Sequence, residues 1–110
     1  MGVFEKALEW FELAKHLLAE GRWGAVCSAA YKGVEFCLKG ALLKRAGFYP
    51  PTEDLVSLAE ALGAPGPVVE ACVFFNRLGE DEEVYAEVAR LCFDRAAEVL
   101  RWAGCISSPP

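Results

Sequence analysis

An all-α fold, an antiparallel up-and-down bundle of four to five helices, is what this sequence predicts. Three observations carry that prediction. Apolar residues recur at three- and four-residue spacing, β-branched residues never alternate with polar ones over a strand's length, and Gly or Pro breakers divide the chain cleanly. The 110 residues make one domain by size, assigned to 1–105 with 106–110 as a short flexible tail. A chain of this length buries roughly 65% of its unfolded surface without needing metal or disulfide staples.

The breakers at Gly21, Gly47, Pro50, Pro51, Gly63 to Pro67 and Gly79 place helices near residues 3–20, 22–46, 53–62, 67–78 and 82–103. In the first, Val3, Phe4, Ala7, Trp10, Phe11, Ala14 and Leu18 share one face, and Glu5, Glu9, Glu12, His16 and Glu20 share the other. That is an ordinary surface helix.

The second helix is different, because it is apolar on two sides. Trp23, Val26, Cys27, Ala30, Val34, Cys37, Leu38 and Ala41 form one stripe, which is expected to dock on the first helix. Ala25, Ala29, Gly33, Phe36, Gly40 and Leu43 form a second stripe on the reverse side. Gly33 and Gly40 each cost about 1 kcal/mol of helix propensity relative to Ala, so close packing is the expected reason for both. Ala29, Gly33, Phe36 and Gly40 are therefore expected to meet a second copy of the chain. Between the stripes runs a wedge of Ser28, Lys32, Glu35 and Lys39. Glu35 and Lys39, four apart in the favourable order, form a surface pair worth about 0.3–0.5 kcal/mol in the simplest reading. In the sharper reading the two lysines stand at the rim of an intersubunit groove and attract an anionic ligand.

Thr52 is the natural N-cap of the third helix, with Glu53 and Asp54 in its first turn and Gly63 ending it in the left-handed conformation. The fourth starts with Pro67 in its first turn and is apolar nearly all round, from Val68 to Phe75, with Glu70 and Arg77 as a charged strip. Deep burial is expected. In the fifth, Val84, Tyr85, Val88, Cys92, Ala96, Val99 and Ala103 oppose Glu87, Arg90, Asp94, Glu98 and Arg101. Arg95 stands out of pattern beside the apolar arc. Either its stem covers apolar surface while its head reaches water or stacks on an aromatic, or it makes a buried pair with Glu35.

Composition narrows the functions. Hydrophobic residues are 55% of the chain, above the average of about 45–50%, and the excess argues for self-association. The net charge of -5 disfavours nucleic acid as a general partner. Glu5 and Glu9 interrupt the first apolar run, so neither a secretory signal nor a membrane span is expected, and the expected location is cytoplasmic. The five cysteines contain no C-x-x-C pair, and no metal site or cofactor is implied. Buried free thiols are the simplest expectation for them. The absence of Gln, with one Asn and one Met, fits a thermophile, where an intracellular disulfide becomes the alternative.

The run "WFELAKHLLAEGRWGAVCSAAYKGVEFCLKGALLKRAGFYPPTEDLVSLAEAL" resembles the HEPN family of small helical domains. Glu35 and Lys39 match the family's E-x-x-x-K on the second helix, and a Pro and Thr turn precedes "DLVSL". The resemblance implies an antiparallel bundle, commonly a homodimer, often encoded beside a minimal nucleotidyltransferase in toxin–antitoxin modules. Some members are ribonucleases that use an Arg followed four to six residues later by a His.

This chain cannot build that pair. Its one histidine, His16, has no arginine before it and sits among Glu12 and Glu20 on the polar side of the first helix. No catalytic residue is assigned. In "NRLGEDEEVY", Arg77 is followed five positions later by Glu82, and Tyr85 falls near the tyrosine that the partner enzyme modifies in related toxins. Arg77 is read mainly as a partner for Glu80 or Glu70, with an anion-binding role for Asn76 and Arg77 near the dimer cleft. Glu53 stands where many relatives carry His.

The expected function is a noncatalytic, homodimeric HEPN subunit that binds a nucleotidyltransferase partner, a nucleotide, or both. Its candidate ligand residues are Lys32, Glu35, Lys39, Asn76, Arg77 and Tyr85. A divergent ribonuclease using Arg77, Glu82 and Tyr85 is one alternative. A carboxylate at position 82 takes a proton but does not readily supply one at neutral pH. A pure protein-interaction scaffold is the other.

Overall fold

The computed structural model describes residues 2–78 and 84–107. Five helices follow one another: α1 (Val3–Ala19), α2 (Trp23–Ala46), α3 (Leu55–Ala61), α4 (Gly66–Arg77) and α5 (Ala86–Trp102). The described residues contain no strand. The four long helices alternate in direction. Gly33 of α2 lies against Ala7 and Phe11, and Gly40 against Phe4, so α1 and α2 are antiparallel. Arg45 at the end of α2 donates to the Leu62 carbonyl just before α4 at 2.7 Å, and Tyr31 meets Phe75 at the far end of α4. α4 therefore runs against α2. Phe11 stacks on Phe93, while Cys105 beyond α5 reaches the Phe4 carbonyl, which makes α5 antiparallel to α1 and parallel to α2.

α2 is the hub, and its own chain covers both of its apolar sides. This corrects the expectation that Ala29, Gly33 and Gly40 wait for a second subunit, whereas Phe36 stands at an open groove. A Cβ built on Gly40 would fall 2.8 Å from Phe4 Cδ1, and one on Gly33 would fall 3.4 Å from the Ala7 carbonyl oxygen. The small residues are thus the groove that admits α1, and Ala29 is buried with them while Phe36 is half-buried. The physical reason is distance of approach: α1, joined to α2 by only three residues, takes the side with the least bulk. The Cys27 and Cys37 side, assigned to α1 from the sequence, faces α5 and the segment after it. Cys27 and Cys92 are joined in a disulfide with Cα atoms 5.3 Å apart, which overturns the simplest expectation of free thiols for that pair. Cys37, Cys72 and Cys105 remain free.

The core runs along α2, with Val26, Val34 and Leu38 fully buried against Leu55 and Leu58 of α3 and Val99 and Leu100 of α5. In α1, Leu17 is buried and Leu18 only half-buried, so the apolar stripe turns slightly from the expected one. α4 buries one stripe of Val68, Ala71, Cys72 and Phe75, while Val69, Val73 and Phe74 stay half-buried. Full burial all round does not occur, because only α3 and α5 flank it closely.

Helix ends match the breakers, with one correction. Asp54, not Thr52, caps α3: its carboxylate accepts the Val56 N–H at 3.2 Å, and Thr52 Oγ1 in turn accepts the Asp54 N–H at 3.1 Å. Two capping side chains lie two residues apart, and the one adjoining the first helical residue takes the cap. Gly63 has the left-handed φ of +70° expected of it. α5 begins at Ala86, with Val84 and Tyr85 ahead of it. Its expected start at 82, like Gly79, Glu80, Glu82 and the end of the tail, falls outside the described residues.

Candidate functional site

The wedge of α2 is not a solvated stripe. Glu35 is only 3% exposed, the one charged residue buried among those described. A carboxylate removed from water needs partners, and α2 supplies two at helical spacing. Lys39 Nζ donates to Glu35 Oε2 at 2.9 Å, with its side chain only 14% exposed. That hydrogen bond holds the Lys39 ammonium above its ordinary pKa against the opposing effect of burial. The Lys39 ammonium also stands 5.4 Å from the centre of the Tyr49 ring.

Lys32 is bound more loosely. Its Nζ lies 3.5 Å from Glu35 Oε1, at the limit of a hydrogen bond, and Oε1 has no hydrogen-bond partner among the described residues. With its side chain 44% exposed, Lys32 is the end of the triad that reaches solvent. One carboxylate against two ammonium groups leaves the triad one positive charge in excess.

Lys32 lies where two depressions meet. The larger, of about 490 Å³, opens between the first half of α2 and the end of α4, where Ser28, Tyr31 and Lys32 face Phe75 and Asn76, with Glu53 and Val84 on its walls. The smaller, of about 410 Å³, is lined by Lys6, Trp10, Leu13 and Phe36 beside Glu9. In the larger cleft Tyr31 donates its hydroxyl proton to the Glu53 carbonyl at 3.2 Å. Burial, and then the Glu35 carboxylate nearby, raise the phenol above its ordinary value. Asn76 Nδ2 donates to Asp54 Oδ1 at 2.7 Å, linking the end of α4 to the cap of α3. Hydrogen bonds from Ser57 and Asn76 hold the Asp54 carboxyl below its usual range.

The structure thus brings Lys32, Glu35 and Lys39 into one ion-paired strip and sets Lys32 and Asn76 in one cleft. Arg77 lines neither depression; it is exposed at the end of α4 and makes no ion pair with Glu70. Glu80, its other expected partner, and Glu82 lie outside the described residues. Tyr85 is 58% exposed, next to Val84 but not in the lining. His16 is exposed on α1 and lines neither depression. Arg95 does not reach Glu35; its guanidinium pairs with Glu98 at 3.4 Å at the surface. Sequence reading missed Tyr31, Phe75 and the role of Asp54. Tyr31 shares the α2 edge with Lys32 and Glu35, one turn back from Glu35, which was the available signal. No group of three or more metal-ligating side chains converges among the described residues, and none of their helices is long and apolar enough to cross a membrane.

Comparison with known proteins gives two matches. The family model described as "HEPN domain" matches residues 2–106. The crystal structure of an archaeal HEPN homologue is similar with a TM-score of 0.82 at 17% identity, covering 94% of this chain and 96% of that one. No curated protein matches.

Proposed function

We propose, since the chain belongs to the HEPN domain family, that it is a noncatalytic, homodimeric subunit. Its Lys32 cleft takes a nucleotide, a minimal nucleotidyltransferase partner, or both, in a toxin–antitoxin-like module. The observation that carries this reading is the position of Lys32. Its ammonium is held at the mouth of the cleft by Glu35, a carboxylate too buried to leave, and retains enough exposure to meet an anion. A phosphate group arriving there would meet a net positive triad, while Tyr31 and Phe75 offer aromatic edges deeper in. The lack of an Arg and His at ribonuclease spacing supports the noncatalytic half, and Arg77, the remaining candidate, lines neither depression.

For the homodimer, the surface that supports the reading moves from Gly33 and Gly40 to the groove of Trp10, Leu13 and Phe36, which α1 leaves open. Thermal-shift measurements with ATP and GTP test the ligand: at 100 times its dissociation constant a nucleotide adds about 2.7 kcal/mol. No shift with any nucleotide, together with no co-purifying nucleotidyltransferase, would overturn the reading. RNA cleavage that disappears in Arg77→Ala would transfer the function to a divergent ribonuclease.

A further inference from the structure

Three thiols stay free, and they are not equivalent. Cys37 and Cys72 are buried, whereas Cys105 is half-buried in the turn that follows α5. That turn is firmly placed. The Cys105 N–H donates to the Leu100 carbonyl at 2.8 Å, and its thiol donates to the Phe4 carbonyl at 3.9 Å. Phe4 packs on Gly40, one helical turn beyond Cys37, so the Cys105 sulfur is delivered to the part of α2 that carries the Cys37 sulfur. The two thiols perturb each other as neighbours: the Cys105 thiol, and then burial, push the Cys37 thiol well above its ordinary range.

We propose that Cys37 and Cys105 are a second redox pair, closed to a disulfide by exchange with a low-molecular-weight disulfide and bolting the segment after α5 onto α2. The Cys105 thiolate attacks one sulfur of the small disulfide, forming a mixed disulfide and expelling the other half as a thiolate. Cys37, its neighbour, then attacks the Cys105 sulfur and expels the second half, while its proton passes to solvent or to that leaving thiolate. Two cysteine thiols and one small disulfide become one protein disulfide and two small thiols. The order of attack follows the geometry, since Cys105 is the thiol that solvent reaches. The neighbouring Cys37 thiol also lowers the Cys105 pKa, so that it offers thiolate more readily, whereas burial pushes the Cys72 thiol up to about 12. Because α2 and α5 run parallel, the new bond would lie beside the Cys27–Cys92 disulfide along the same helix pair rather than cross it.

The test is a disulfide map of the folded, full-length protein. The five cysteines fall on five tryptic peptides, 23–32, 33–39, 46–77, 91–95 and 102–110, so each pairing is read without ambiguity. The protein is treated with glutathione disulfide, quenched with N-ethylmaleimide and digested without reduction. The expected result is peptide 33–39 joined to 102–110, with Cys72 left as the alkylated thiol. Cys105→Ser should abolish that linkage, and Cys72→Ser should leave it intact. A glutathione adduct that persists on 102–110, a link between 33–39 and 46–77, or full alkylation of both Cys37 and Cys105 would overturn the proposal. The parent map decides even if a variant folds poorly.

Discussion

The two sides of the wedge on α2 are built on opposite principles. Toward α1 the helix presents Gly33 and Gly40: a methyl group on Gly40 would collide with the Phe4 ring, and one on Gly33 would use up all the space before the Ala7 and Phe11 backbone. Toward α4 it presents Tyr31 and Lys32 across a cleft that the described residues leave open. The first contact is fixed by steric exclusion, the second is left open with a charge at its mouth. The same helix therefore serves as spine and as ligand wall, and substitutions on its two sides should be told apart by what they disturb.

The largest effect is expected on the sealed side. Gly33→Val drives a branched side chain toward the Ala7 and Phe11 backbone, which cannot swing away, and should cost about 2–3 kcal/mol in denaturant unfolding. Gly40→Val should cost less, because it meets the Phe4 ring in the first turn of α1, which can yield. Equal costs at both positions would break the distinction between backbone and side-chain contact.

Next comes the ion pair between the sides. Lys39→Met leaves Glu35 buried without its short partner and should cost about 2 kcal/mol at neutral pH. The sign of its pH dependence is set by Lys39, whose folded pKa is raised. The stabilisation is fully present below the ordinary lysine value of 10.5 and fades as pH climbs through the higher folded value. The gap between parent and variant should therefore narrow in strongly alkaline buffer. A gap that stays constant there would assign the loss to packing.

How much of this was legible beforehand differs between the two sides. The glycines announced a close approach, because two costly residues in one helix need a reason, but spacing alone did not say whether the approaching helix belonged to the same chain. The packing of the other four helices around α2 decided that. Helix ends were legible from Gly63 and Pro67, whose backbone preferences are local. Glu35 was readable as a partner of Lys39, since four-residue spacing is also local, yet its burial depends on elements far along the chain. The Cys27–Cys92 bond and the Asn76–Asp54 hydrogen bond join residues 65 and 22 positions apart, and no local pattern encodes either.

A smaller effect is expected at the floor of the cleft. Asp54→Ala removes the α3 cap and the Asn76 acceptor together and should cost about 1 kcal/mol, with the unfolding midpoint as the readout. Asp54→Asn, which keeps an acceptor oxygen, should recover most of it. The smallest effect on stability belongs to Lys32→Ala, within about 0.5 kcal/mol, because its pairing is long and exposed. A greater loss there would make Lys32 structural and weaken its assignment as the ligand residue.

Titration calorimetry of a nucleotide into the parent, Lys32→Ala and Arg77→Ala proteins tests the central claim most directly. The cleft account predicts binding to the parent that weakens about tenfold or more in Lys32→Ala, at least 1.4 kcal/mol, and is unchanged in Arg77→Ala. Binding that survives intact in Lys32→Ala, or that is lost in Arg77→Ala instead, would contradict it.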